Sequence, residues 1–355
     1  MLINLYKTLL VSFFLTTSFY GFSSEKDTIQ DKPFDTSELI FHHIKDSHGF
    51  HVAGDISVPL PVILWTDKGL VTFMSSEFHH DVEGKTIVEK NGQKFVNLHE
   101  KIYQLKQGET SVTFDAEHHA TNAIRPLDFS ITKNVFSLFL SIVVMFLIFF
   151  TTAKSYRKSK DGIPTGIGKF MEPIILFIRD EVAIPNIGEK KYQKYMPFLL
   201  TLFFFIWLNN IFGLIPFFPF SSNLSGNIAF TITLAAITFI ITLFSSKKYY
   251  WKHMLWMPGL PIPMKLFLAP IEFMGMFIKP IALTIRLFAN ITAGHIIVLS
   301  LVSLTFIFQN YVVGVGSVLF VVFISVIEVL VVAIQAYIFT MLSALYFGQA
   351  LEEEH

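Results

Sequence analysis

The chain has 355 residues, 52% of them hydrophobic and only 15% charged, with a mean hydropathy of +0.55. A composition this apolar excludes an ordinary soluble globular chain and points to a protein that crosses the bilayer several times. Lysine plus arginine (27) balance aspartate plus glutamate (27), so no overall field draws a nucleic acid, and without cysteine there are no disulfides, thiolate chemistry or cysteine-based metal centres.

In residues 1–24, Lys7 precedes the apolar run Leu9 to Leu15, and small and polar residues come after it. This pattern predicts a secretory signal peptide cleaved near Gly21 to Ser24, with an uncleaved signal anchor as the alternative. Either way the next segment is exported.

Residues 25–133 turn polar and predict a small β-rich extracytoplasmic domain. Strands are expected at 58–64 and 69–74, and again at 85–90 and 93–98 around Asn91-Gly92, a strong two-residue hairpin signal. The domain holds nine of the twelve histidines, including His42-His43, His79-His80 and His118-His119. Adjacent strand residues point to opposite faces, so these histidines are expected on solvated surface, and no metal or other cofactor is assigned. The hairpin signals suggest an independent fold, and the segment is expected to be dispensable for ion transport.

From 134 to 355 the pattern is that of a membrane domain. A span over 134–153 ends in Lys154, Arg157, Lys158 and Lys160. Residues 166–184 mix apolar side chains with Lys169, Glu172, Arg179, Asp180 and Glu181, which reads as an interfacial helix or a solvated loop helix. Lys190, Lys191 and Lys194 precede a span over 197–216; after a turn at 217–227 comes a span over 228–244, closed by Lys247, Lys248 and Lys252. The basic clusters share one side if the first span runs from outside to inside, which agrees with an exported N-terminal domain and a cytoplasmic C-terminus.

Arg286 lies in the apolar run from Ile281 to Phe308. A guanidinium there costs at least ~2.5–3.5 kcal/mol on insertion scales and cannot shed its proton. Such a permanent charge usually serves ion handling. A polar break at Gln309-Asn310 separates this run from a second one over 311–347. Folded there as an antiparallel hairpin, the two runs bring Arg286 level with Gln335 and His295 level with Glu328. Arg286 and Asn290, four apart, share one helix face, as do Glu328 and Gln335, seven apart; His295 lies half a revolution from Arg286. A fixed cation and a titratable pair would then look out of opposite sides. The second run, at ~1.5 Å per residue, exceeds a ~30 Å hydrocarbon core, so the last two helices must tilt, bend or project.

The run Arg286-Leu287-Phe288-Ala289-Asn290 with Gly294, and the later Gln335-Ala336-Tyr337-Ile338-Phe339 ahead of Tyr346 and Glu352-Glu353-Glu354-His355, resemble subunit a of the bacterial F-type rotary ATP synthase. The resemblance covers roughly 151–355, and the exported domain stands outside it. It implies that Arg286 is the family's essential arginine and that Asn290 and Gln335 are polar residues near it. It also implies that Glu272 is an acidic residue two helical segments upstream and that Asn210 matches a family asparagine; Asn210 and Lys279 are expected as supporting groups. Some family members carry Glu at the position of His295 and His at that of Glu328, so the pair is exchanged here.

The fold implied by the resemblance is an all-α polytopic membrane domain of about five helices, the last two a long tilted hairpin. The implied role is non-catalytic: two half-channels and an arginine that couple proton flow to rotation of a ring of c subunits, with Na⁺ as the alternative ion. Peripheral-stalk b subunits, the rest of the complex and the lipid bilayer are the implied partners, in the cell inner membrane. Two other classes fit less well. A secondary transporter should show internal repeats, and an intramembrane protease should show Gly-x-Ser-x-Gly, His-Glu-x-x-His or a membrane Asp pair.

Overall fold

The computed structural model describes residues 45–53, 56–106, 108–109, 111–113, 121–159, 163–215, 218–256 and 261–352. The expected signal peptide lies outside them, as do His42, His43, His118 and His119.

The N-terminal part is β-rich. β1 (Gly49–Ala53) pairs with β2 (Ile56–Pro59). β3 (Pro61–Thr66) is flanked by β4 (Gly69–Met74) and, later, by β9 (Leu127–Asp128). β5 (Val88–Lys90), β6 (Gln93–Leu98), β7 (Lys101–Leu105) and β8 (Ala123–Ile124) form a second antiparallel meander. Alternation sorts the faces: Val62, Leu64, Val71 and Phe73 turn in with Phe95 and Ile102, while Trp65 and Leu70 stay outside. The Asn91-Gly92 hairpin forms as expected, with φ of 52° and 67° at the two residues that tolerate a left-handed backbone. The expected strand over 58–64 is broken at Leu60, whose N–H donates to His48 O and Ser75 Oγ rather than along a ladder.

This part is not an independent bead on a linker. Phe129 N–H donates to Ile63 O, Ile131 N–H to Pro61 O and Lys133 N–H to Ser47 O. Asn134 N–H, already in the first helix, donates to Asp46 Oδ1 at 3.0 Å. Phe50 packs edge-on against Phe136 and Phe218, 5.4 and 5.3 Å between centroids. The chain therefore pairs continuously from sheet into helix at this junction. Apolar and backbone groups at the junction bury one another instead of solvating a hinge.

Among the described residues five helices are long and apolar enough to cross a membrane: α1 (Lys133–Lys158), α4 (Tyr192–Leu214), α5 (Ile228–Ser245), α7 (Ile262–Phe308) and α8 (Tyr311–Leu351). Between α1 and α4 run α2 (Ile167–Phe177), a π-helical turn (Ile178–Ala183) and α3 (Ile184–Ile187). A short α6 (Lys248–Leu255) precedes α7. Side chains close the helix starts: Thr132 Oγ1 accepts from Val135 N–H, Asn227 Oδ1 from Ala229 N–H and Asn310 Oδ1 from Val312 N–H.

α7 differs from the expected helix, which starts at 281. It begins at Ile262 and continues through Pro270 and Pro280. Each proline removes one backbone donor, and membrane helices absorb that loss where neighbours and hydroxyls re-satisfy the freed carbonyls. Thr284 Oγ1, one turn after Pro280, donates back to Pro280 O, the usual hydroxyl contact to the carbonyl four residues earlier. Glu272 therefore sits on the same helix as Arg286, fourteen residues before it, and not two segments upstream. The hairpin turns where expected, with Gln309 left-handed at φ 47°. The bundle core centres on α4: Leu199, Phe204 and Ile206 pack among Leu283 and Leu287 of α7, Val332, Ala336 and Phe339 of α8, and Ile178 and Val182 of the π-turn.

Candidate functional site

The α7–α8 hairpin has two unlike faces. Leu283, Thr284, Leu287 and Ile291 bury one side of α7, and His295 continues that stripe by one more turn. The other side is open. Arg286 and Asn290 are exposed on it, among Ile281, Ile285, Ile296 and Ile297. Among the described residues Arg286 makes no hydrogen bond or ion pair, though it lies within electrostatic reach of Tyr346. The expected half-revolution between cation and imidazole is thus realised.

Glu328 and Gln335 share the buried side of α8 at 7% and 8% exposure. Glu328 reaches across to α7 at Gly294, where an added β-carbon would stand 2.9 Å from the carboxyl carbon. The absence of a side chain at Gly294 lets the carboxyl sit there. On the α4 side, a β-carbon at Gly213 would lie 3.8 Å from His295 Nε2 and 3.0 Å from Ser222 O. His295 and Glu328 are therefore brought to one level, as expected, but no ion pair within 4.0 Å joins them among the described residues. Gln335 is level with Arg286 yet turned into the bundle, so that expected pair shares a depth and not a contact.

The interior near this level is polar and unsatisfied. Glu328 Oε1, Thr292 Oγ1, Ser225 Oγ, Asn209 Oδ1 and both amide atoms of Asn210 are buried without a protein partner. Leaving such groups bare costs ~1–3 kcal/mol each, so groups of this kind are matched by water. Asn210 and Gly213, three apart on α4, share a face, which aligns the orphaned amide with His295. The turn Leu224–Gly226 packs against α1, α4, α5 and α7 and closes this end.

The other end holds a second polar zone that the sequence pattern barely announced. Lys265, Glu272, Lys279 and Arg286 recur every seven residues along α7, so they form one column. Lys279 Nζ donates to Gln349 Oε1 at 3.0 Å and lies 5.6 Å from the Tyr346 ring centroid. Beside them is an open recess lined by Thr238, Thr242, Tyr250, Lys279, Tyr346 and Gln349 with apolar neighbours. Burial, with the Glu272 carboxylate added, holds the Tyr250 phenol above its usual range. The seven-residue spacing is the signal that could have found this column.

The family model described as ATP synthase A chain matches residues 135–348, well over half of the chain. This chain belongs to that family. It is similar to ATP synthase subunit a of Chloroherpeton thalassium, 43% identical over 231 residues, covering 64% of this chain and 68% of the relative. ATP synthase subunit a 2 of Chlorobaculum tepidum is 44% identical over 230 residues, covering 63% and 64%. The Anaeromyxobacter sp. subunit a is 36% identical over 261 residues, covering 68% and 62%. A domain of unknown function, DUF8433, matches residues 39–129, the β-rich part. The chain is thus a multi-pass membrane protein of the ATP synthase membrane sector, with the β-rich part added to the family's helices.

Proposed function

We propose that this chain is the proton-translocating stator of the membrane sector, and that a ring of c subunits turns against the open face of its α7–α8 hairpin. The observation that carries this reading is the division of the hairpin: Arg286 on the exposed side, and His295 with Glu328 on the buried side. An intramembrane arginine without a hydrogen bond or ion pair among the described residues is well suited to meet a carboxylate brought by another subunit. Each ring carboxylate stays protonated in lipid, where a bare charge is too unfavourable. Opposite Arg286 its ionised form is stabilised and the proton leaves. The same fixed cation bars a direct crossing, so protons travel round with the ring.

The outer access path then runs through His295, Glu328 and the orphaned polar groups near Asn210. The inner path runs along Glu272, Lys279 and the recess at Tyr346 and Gln349. Imidazole and carboxylate at one level suit proton exchange near neutral pH, which favours H⁺ over Na⁺. Gln335 and Asn290 hold the polarity of the two faces near Arg286. The basic clusters support a cytoplasmic C-terminus and an extracytoplasmic β-domain in the inner membrane. Residues 1–24 act as the signal peptide, and 25–133 and 134–355 as the exported and membrane domains. ATP chemistry belongs to other subunits, and peripheral-stalk b subunits hold this one still.

The test is coupling in proteoliposomes carrying the whole complex. Arg286→Ala should assemble, lose coupled synthesis and let protons leak passively; Arg286→Lys should also lose coupling, because lysine yields its proton on burial and lacks the planar fork. A fully coupled Arg286→Ala complex overturns the reading, and ATP-driven uptake that requires Na⁺ overturns the choice of ion.

A further inference from the structure

The head of α1 gathers more charge than this path uses. His48 is 6% exposed, and neither ring nitrogen has a hydrogen-bond partner among the described residues. Both face carboxylates: Glu100 Oε2 stands 3.7 Å from Nδ1 and Asp128 Oδ2 3.6 Å from Nε2. Burial alone would lower the imidazole pKa, but Asp128 and Glu100 outweigh it and raise it to about 9. Two residues before His48, Asp46 Oδ1 accepts the N–H groups of Ser47 and Asn134. Asn134 Oδ1 in turn accepts from the fully buried Ser222 Oγ at 2.6 Å. The carbonyl of Ser222 packs against Gly213, beside His295. Lys133 joins the two zones: it lies within electrostatic reach of Asp46 and Glu100 on one side and of His295 on the other.

We propose that the outer access path begins in the β-domain. Asp46, Glu100 and Asp128, gathered round His48 and Lys133, form a proton-collecting vestibule whose charge reaches His295 through Lys133. Three carboxylates oppose two cations there, so the vestibule is net negative and raises the local proton concentration. The acids also offset Lys133, whose ammonium would otherwise repel a proton approaching His295. His295 is faced by Lys133 from α1 and Glu328 from α8, while α4 and the Leu224–Gly226 turn present the neutral Asn210 and Ser225. Only protons move in this step. This inference rests on the reading of His295 and Glu328 as the outer path.

The experiment is ATP synthesis by the whole complex in proteoliposomes at fixed membrane potential, with pH varied on the β-domain side. Glu100→Gln and Asp128→Asn together keep the shapes but remove two negative charges; His48, no longer held protonated by them, then loses its own charge near pH 8, so the vestibule goes from net −1 to neutral. They should lower the rate about threefold to tenfold near pH 8, shift the profile to lower pH, and leave the low-pH plateau unchanged. Adding Lys133→Met should return most of the lost rate. An assembled complex with an unshifted profile, an equal loss at every pH, or no rescue by Lys133→Met overturns the proposal. Glu328→Gln separates the two readings. If it leaves synthesis intact, the outer path itself is misplaced; if it abolishes synthesis while the acid pair is silent, only the vestibule fails.

Discussion

At Gly294 the Glu328 side chain reaches α7 so closely that a β-carbon would overlap Oε1. Gly294→Ala must therefore displace the carboxyl, a shift the end of a flexible side chain makes without spreading the hairpin, so its effect falls on the position of Glu328 rather than on stability. The expected result is an assembled complex with coupled synthesis at least about tenfold lower, while Ala293→Gly, on the exposed side, leaves the rate unchanged. Normal synthesis by Gly294→Ala would mean that the position of Glu328 beside α7 is not used. Depth was readable at this scale because a helix rises by a fixed step per residue, so His295 and Glu328 fell level on counting alone. Contact was not readable: Gln335 shares the depth of Arg286 but faces the bundle. His48 was missed because a lone histidine in a polar stretch looks solvated, and its carboxylates lie 52 and 80 residues on.

The elements themselves were mostly visible, because long apolar runs and basic flanks mark helices strongly. Pro270 and Pro280 misled, since proline normally ends a helix in water, where no neighbouring helix compensates the freed carbonyls. The contact between α3 and the end of α8 had no sequence signal either. There Gly348 meets Asn186 O so closely that any β-carbon would overlap it. Gly348→Ala should push the α2–α3 segment off α8 and lower the thermal stability of the purified complex, at ~1–3 kcal/mol. An unchanged melting profile would show that this contact yields without loss.

At the scale of the whole molecule, hydrogen bonds join the β-domain to the first helix, and the buried His48 lies close to that junction. The pKa of His48 is raised to about 9 by Asp128 and Glu100 against the opposing effect of burial. A group whose folded pKa is raised contributes stability that is complete below the unfolded value of 6.5 and is lost as pH rises through the folded one. The β-domain should therefore unfold at progressively lower temperature between pH ~6.5 and pH ~9.5, read by tryptophan fluorescence of Trp65, which is exposed on that domain. His48→Gln should flatten this slope; a slope that persists in the variant would place its source elsewhere. The docking was not legible in the sequence, because hydrogen bonds such as Lys133 N–H to Ser47 O depend on tertiary position rather than on residue type.

Arg286 on the open face also ties membrane residence to assembly. A chain whose arginine meets lipid is less stable in the bilayer by ~2.5–3.5 kcal/mol than one whose arginine is covered. Insertion and association are therefore linked equilibria: each covering subunit that binds draws the inserted form along with it by mass action. The same side chain that is proposed to order the flow of protons thereby makes the lone subunit the weaker state, and sets a thermodynamic direction for building the complex around it.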